Sequence, residues 1–177
     1  ESSVEVYFKV TDDGDAWNKV DDVPYVYKGG VSETAFEFDT DGSLWVVTRN
    51  EDGDESGYGS HVCWAPADAL GEWDCPAQCS PLRYDSPELF RHGDDIYMVA
   101  RRNLGDPFGD TGSLVDYSLE PKTTALYQID KENRAVVHLF DLPGCGDNAF
   151  PSIRRTGAHT FLMANYTSPL DYPDVTW

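Results

Sequence analysis

The sequence predicts an all-β chain built as the four-stranded antiparallel blades of a β-propeller, and three observations carry that prediction. Helical periodicity is nearly absent, while short runs rich in β-branched and aromatic residues alternate with turns of Gly, Asp, Asn and Pro. One hairpin-length pattern is written twice. "ETAFEFDTDGSLWVVTR" (Glu33 to Arg49) and "DSPELFRHGDDIYMVAR" (Asp85 to Arg101) each open on an acid, turn at a Gly and close on an arginine. Finally, "LWVV" and "IYMVA" are apolar on both faces, which suits sheets sandwiched between neighbouring sheets.

Taken in order, residues 1–29 read as outer strands of a preceding blade, with "VEVYFKV" as a strand and "TDDGDAW" as its hairpin turn. Residues 30–79 form a blade whose third and fourth strands are "HVCWAPA" and "EWDCPA". "PADALGEW" is the only plausible helical turn. Residues 80–143 form a second blade with "TALYQID" and "RAVVHLFDL" as its outer strands, interrupted by the long segment "GDPFGDTGSLVDYSLEP". That segment is a candidate lid over the channel, with a solvated connector as the ordinary alternative. Residues 144–177 form an incomplete blade in which "DNAFPSI" and "HTFLMANY" repeat the pattern, so that Asp147 matches Glu33 and Asp85, and Asn165 stands where the arginines do. Propellers have ~4 to 8 blades. The chain accounts for roughly three of them, so part of a five- or six-bladed ring is expected, completed by further chain or by other copies.

Composition narrows the partners. The 177 residues suffice for a domain with a real core, and 40% hydrophobic with 13% aromatic content excludes a disordered chain. A formal net charge of −19 repels nucleic acid phosphates and anionic lipid. No apolar run approaches the ~20 residues of a membrane span. The sequence carries neither an initiator Met nor a signal peptide, as expected if a leader was removed or the chain is an internal piece. Cys63, Cys75, Cys79 and Cys145 form no C-x-x-C pair and no zinc spacing. Two disulfides in an exported, extracellular or periplasmic protein are expected, with free buried thiols as the alternative. Cys63–Cys75 would cross-link one hairpin, and Cys79–Cys145 would tie two equivalent loops.

"TDDGDAW" contains D-x-G-x-x-W as Asp12, Gly14 and Trp17, which resembles the Asp-box hairpin of sialidase-type propellers, with Val10 in place of the usual leading Ser or Thr. "SETAFEFDTDGSLWVVTRN" resembles the sialidase blade in which a Glu opens the innermost strand and an Arg closes the next. The resemblance implies a sialidase-like, glycoside hydrolase-like propeller directed at carbohydrate. It also implies that Glu33 activates a nucleophile and that Arg49 helps clamp a substrate carboxylate, a task suited to a guanidinium fork. A second resemblance, to five-bladed propeller glycosidases, implies a ring of three carboxylates, here Glu33, Asp85 and Asp147, sharing acid and base work. Arg101, Arg102, Tyr84 and His61 complete the expected substrate-binding rim. The plainer alternatives are that the acids cap strand entries, that the arginines merely pair between blades, and that the chain is a non-catalytic binding or assembly module. No metal is expected in the site. Calcium is a candidate at "DTDGS" (Asp39, Asp41) and better at "NEDGDESG" (Asp52, Asp54, Glu55), although ordinary hairpin turns explain the first.

Overall fold

The computed structural model describes residues 3–20, 25–105 and 113–171. The chain is all-β: several small antiparallel sheets, none of them closed. At the N-terminus β1 (Val4–Val6) pairs with β4 (Tyr27–Gly29), and β2 (Lys9–Val10) with β3 (Asn18–Lys19). The next sheet runs β5 (Thr34–Phe38), β6 (Leu44–Asp54), β7 (Gly57–Ala65). A four-stranded meander follows: β8 (Asp85–His92), β9 (Asp95–Asn103), β10 (Lys122–Asp130) and β11 (Ala135–Leu142). The last sheet is the hairpin of β12 (Ala149–Arg155) and β13 (Phe161–Tyr166).

The two repeated hairpins fold as their spacing predicts. In "DTDGS" the Asp39 N–H donates to Ser43 O at 2.8 Å, and Gly42 sits at φ +88°, a conformation that side chains disfavour. Gly93 plays the same part in "HGDD" at φ +65°. The apolar strands pack on both faces, as read. Trp45, Val47 and Val62 meet Leu89, Ile96, Met98, Ala125 and Tyr127 in the main core between the two larger sheets. Val46 and Cys63 face the other way, onto Val26, Phe8 and Trp73. The middle sheet is therefore covered by the N-terminal segment on one side and by the four-stranded sheet on the other. Strands β5, β8 and β12, which open the three successive sheets, lie beside one another.

Several expectations are corrected. The fourth strand of the first unit is reduced to two isolated bridges, Trp64–Asp74 and Ser60–Ser80. "PADALGEW" forms hydrogen-bonded turns, Ala69 N–H donating to Pro66 O at 3.1 Å and Glu72 N–H to Ala69 O at 2.8 Å; the one described helix is α1 (Leu114–Leu119), inside the long insertion, capped by Ser113 Oγ accepting from the Asp116 N–H at 3.2 Å. Cys63–Cys75 is a disulfide closing a loop of 12 residues, worth about 3 kcal/mol by the usual loop-entropy scaling. Cys79 and Cys145 are free thiols, so the second bridge is not made. Cys145 is held instead in its own turn, where its N–H donates to Thr167 Oγ1 at 2.8 Å.

The "TDDGDAW" hairpin is organised by Asp13 rather than Asp12. Asp13 Oδ1 accepts from the Asp15 and Ala16 N–H groups at 2.8 and 2.9 Å, holding its carboxyl below the ordinary range. Trp17 donates its indole N–H to Gly14 O at 3.2 Å but remains 58% exposed, instead of packing under the turn.

Candidate functional site

Glu33 immediately precedes β5, and Arg49 of β6 lies opposite it, its N–H donating to Glu33 O at 2.9 Å. The side chains pair as well, with Arg49 Nη1 3.0 Å from Glu33 Oε2. Asp85 opens β8 directly across from Arg101 of β9. The guanidinium groups then reach sideways. Arg49 Nε lies 2.7 Å from Asp85 Oδ1, while Arg101 lies 3.8 Å from Asp85 Oδ2 and 3.1 Å from Asp147 Oδ1. Each arginine thus joins the acid of its own hairpin to the acid that comes next in the chain. Glu33, Arg49, Asp85, Arg101 and Asp147 form one alternating series of charges across three successive sheets.

Among the described residues three further cations or donors join the cluster, and sequence reasoning missed all of them. Arg83 donates through Nε–H to Asp85 Oδ1 and lies 3.6 Å from Glu51, which also pairs with Arg49. Tyr117 of α1 donates its hydroxyl to Asp85 Oδ2, and its ring lies 4.0 Å from the Arg83 guanidinium carbon and 4.5 Å from Lys122 Nζ. Lys122 donates to the carbonyls of Tyr117 and Glu120 at 2.6 and 2.8 Å, holding α1 down. Arg83 carried a usable signal: two residues before Asp85 in extended chain, it shares that residue's side. Tyr117 carried none, because "GSLVDYSLEP" has no strand periodicity or repeat partner.

Burial grades sharply across this cluster. The Asp85 side chain is 0% exposed, that of Arg83 1%, Arg101 6% and Arg49 11%, against 23% for Glu33, 31% for Glu51 and 43% for Asp147. Burial raises the Asp85 pKa, against the opposing pull of Arg83, Arg49 and Arg101. The Arg83 N–H and the Tyr117 O–H donate to its two oxygens. Lys122 is lowered to about 8, by burial first and then by the charge of Arg101. Glu33 is tied to the second unit as well, accepting from the Ser86 N–H at 2.6 Å and the Ser86 hydroxyl at 3.2 Å.

The third unit enters in a different register from the one its sequence suggests. Asp85 pairs with Arg101 and then Glu88 with Val99, with Ser86 at φ +50° in the bulge. The same bulge recurs as Ala149 against Tyr166 and Ser152 against Ala164, with Phe150 at φ +50°. Ala149 and Tyr166 are therefore the structural counterparts of Asp85 and Arg101, not Asp147 and Asn165. Asp147 reaches the series from two residues upstream, where its Oδ1 also accepts from the Tyr166 hydroxyl at 3.0 Å. Asn165 turns away and donates to Thr124 Oγ1 at 2.8 Å.

Arg102, Tyr84 and His61 do not join this site. Arg102 alternates to the opposite side of β9 and chelates both oxygens of Asp141 at 2.8 Å. Tyr84 is buried in the main core with its ring edge-on to Tyr127 at 5.2 Å. His61 is fully buried in a separate polar nest, its Nε2 3.0 Å from Ser56 Oγ and its ring 4.2 Å from Tyr27. Burial lowers its pKa and keeps it neutral. The same nest occupies Asp54, the central acid of the candidate calcium loop, which accepts from Ser56 N–H, Tyr27 O–H and Gly30 N–H at 2.9, 3.0 and 3.1 Å. In the other loop, Asp39 pairs with Lys131 at 2.6 Å and Asp41 accepts from the Ser43 N–H at 2.9 Å. Among the described residues no group of three or more His, Cys, Asp or Glu side chains is arranged to hold a metal ion. No protein-family model, no characterised protein sequence and no solved structure matches this chain.

Proposed function

We propose that the chain is part of an exported, sialidase-like β-propeller that engages glycans, and that the arginine–carboxylate cluster is where it reads the carboxylate of an acidic sugar. The single observation that carries this reading is the convergence of Arg49, Arg83 and Arg101 on Asp85 at the adjacent ends of β5, β8 and β12. Convergence of successive sheets on shared ground supports the propeller. The Cys63–Cys75 disulfide supports an oxidising compartment.

The chemistry follows from the gradient of burial. Asp85 is a fixed partner beneath the arginines, engaged on both oxygens. The outer nitrogens of Arg49 and Arg101 are held by Glu51 and Asp147, the two most exposed acids of the series. Both acids reach solvent, so a ligand carboxylate can take their place on the arginines with a bidentate contact. Should the sugar also be hydrolysed, Glu33 and Asp147 are the carboxyls left for acid and base work.

Sialosides and uronic-acid glycosides titrated against the full-length protein test the reading, with fluorogenic versions reporting turnover. Expected is binding that weakens by about tenfold or more in Arg49→Lys, which keeps the charge but loses the fork. Failure of the folded protein to bind any carboxylated sugar would leave the second reading, in which the buried Asp85 makes the cluster a lock between sheets.

A further inference from the structure

At the far end of β8 from the cluster, two histidines from different sheets face each other. His92 closes β8, and His159 lies in the β12–β13 turn. His92 Nε2 and His159 Nδ1 are 3.5 Å apart, with the rings perpendicular and their centroids 5.3 Å apart. That separation is long for a nitrogen–nitrogen hydrogen bond. It lies within about 0.2 Å of the ~3.3 Å between two imidazole nitrogens that share one tetrahedral zinc at ~2.0–2.1 Å bond lengths.

The surroundings hold the His92 ring and brace the turn that carries His159. The Phe161 ring packs edge-on against His92 at 5.6 Å and touches Phe90 at 5.0 Å. The turn carrying His159 is closed by the Thr156 and Gly157 N–H groups, which donate to Thr160 O at 2.9 and 3.2 Å. Arg155 pins that turn to β8, donating to Arg91 O at 2.7 Å and to Ala158 O at 2.8 Å while its guanidinium lies 4.7 Å from the Phe161 ring centre. The imidazoles are thus presented by two separate hairpins on braced backbone, half-buried at His92 and exposed at His159.

We infer that His92 and His159 form a two-imidazole site for a zinc-class divalent transition ion. Neutral imidazole is a preferred ligand for Zn2+, Cu2+ and Ni2+. Water fills the remaining positions, so the ion would clip the turn of the four-stranded sheet to the turn of the last hairpin. With two protein ligands and two neighbouring arginines, the affinity is modest, on the order of micromolar.

The test is a Zn2+ titration of the chelator-stripped full chain against a competing chromophoric chelator, with circular dichroism to confirm folding. One ion per chain is expected, with affinity falling about tenfold or more in His92→Ala and equally in His159→Ala. His138→Ala, which removes the separate imidazole beside Asp141, is expected to leave the affinity unchanged. Absence of Zn2+ binding, binding indifferent to both substitutions, or loss confined to His138→Ala would each overturn the assignment.

Discussion

The first and second hairpins share one sentence of sequence but not one role for their acids. Glu33 is near the surface, answering to Arg49 and to the Ser86 backbone of the next unit. Asp85 is wholly buried and answers to Arg83, Arg49, Arg101 and Tyr117. The difference arises from what flanks each acid. Unit two adds an arginine two residues upstream and an insertion that lays Tyr117 over the top, and unit one has neither. An acid at the head of a strand becomes the centre of a network only when neighbouring elements remove it from water and supply the donors it then requires.

The largest effect that this contrast predicts is on stability. Asp85→Asn leaves buried guanidinium groups without their counter-charge and should cost about 3–5 kcal/mol in urea unfolding. Glu33→Gln should stay within about 1 kcal/mol, as partly solvated ion pairs do. Similar losses in both variants would erase the distinction. Next in size, Tyr117→Phe removes only a hydroxyl donated to a charged acceptor, and a loss of about 1.5–3 kcal/mol is expected. Protection of α1 amides from hydrogen exchange should fall with it, since the same residue fastens the insertion to the cluster.

The smallest effect separates Asp54 from the series and appears only in acid. Burial raises the Asp54 pKa, but hydrogen bonds from Ser56, Gly30 and Tyr27 outweigh it and hold the value at about 2, below the ordinary 3.8. A carboxyl depressed in the folded state binds its proton more weakly than in the unfolded chain. Its stabilisation is therefore complete above about pH 4 and is lost as the pH falls towards 2. Unfolding titrations between those limits should be less steep in Asp54→Asn than in the parent.

Much of this was legible in the residues. The turn glycines, the two-sided apolar strands and the spacing of acid to arginine fixed the two hairpins, because hairpin register follows from the turn and from which faces are apolar. That spacing also placed Glu33, Arg49, Asp85 and Arg101 at the same end of their sheets. The third unit differs because its acid stands two residues upstream of the position that Asp85 holds. Phe150 at φ +50° matches Ser86 in the same bulge, so Ala149 rather than Asp147 faces the neighbouring strand where Asp85 does. The expected Cys79–Cys145 bridge rests on each cysteine standing shortly before a repeated acid, whereas a disulfide requires the two residues to approach each other.

Sequence alone thus determined an all-β chain, its hairpin turns and the alternation of charge that runs through it, since these depend on neighbours a few residues apart. Tertiary structure alone decided that Tyr117 belongs with Asp85, that Tyr84, His61 and Arg102 do not, and which acids remain open to solvent. Those outcomes depend on burial and on contacts between segments tens of residues apart, and neither quantity is written in any local pattern.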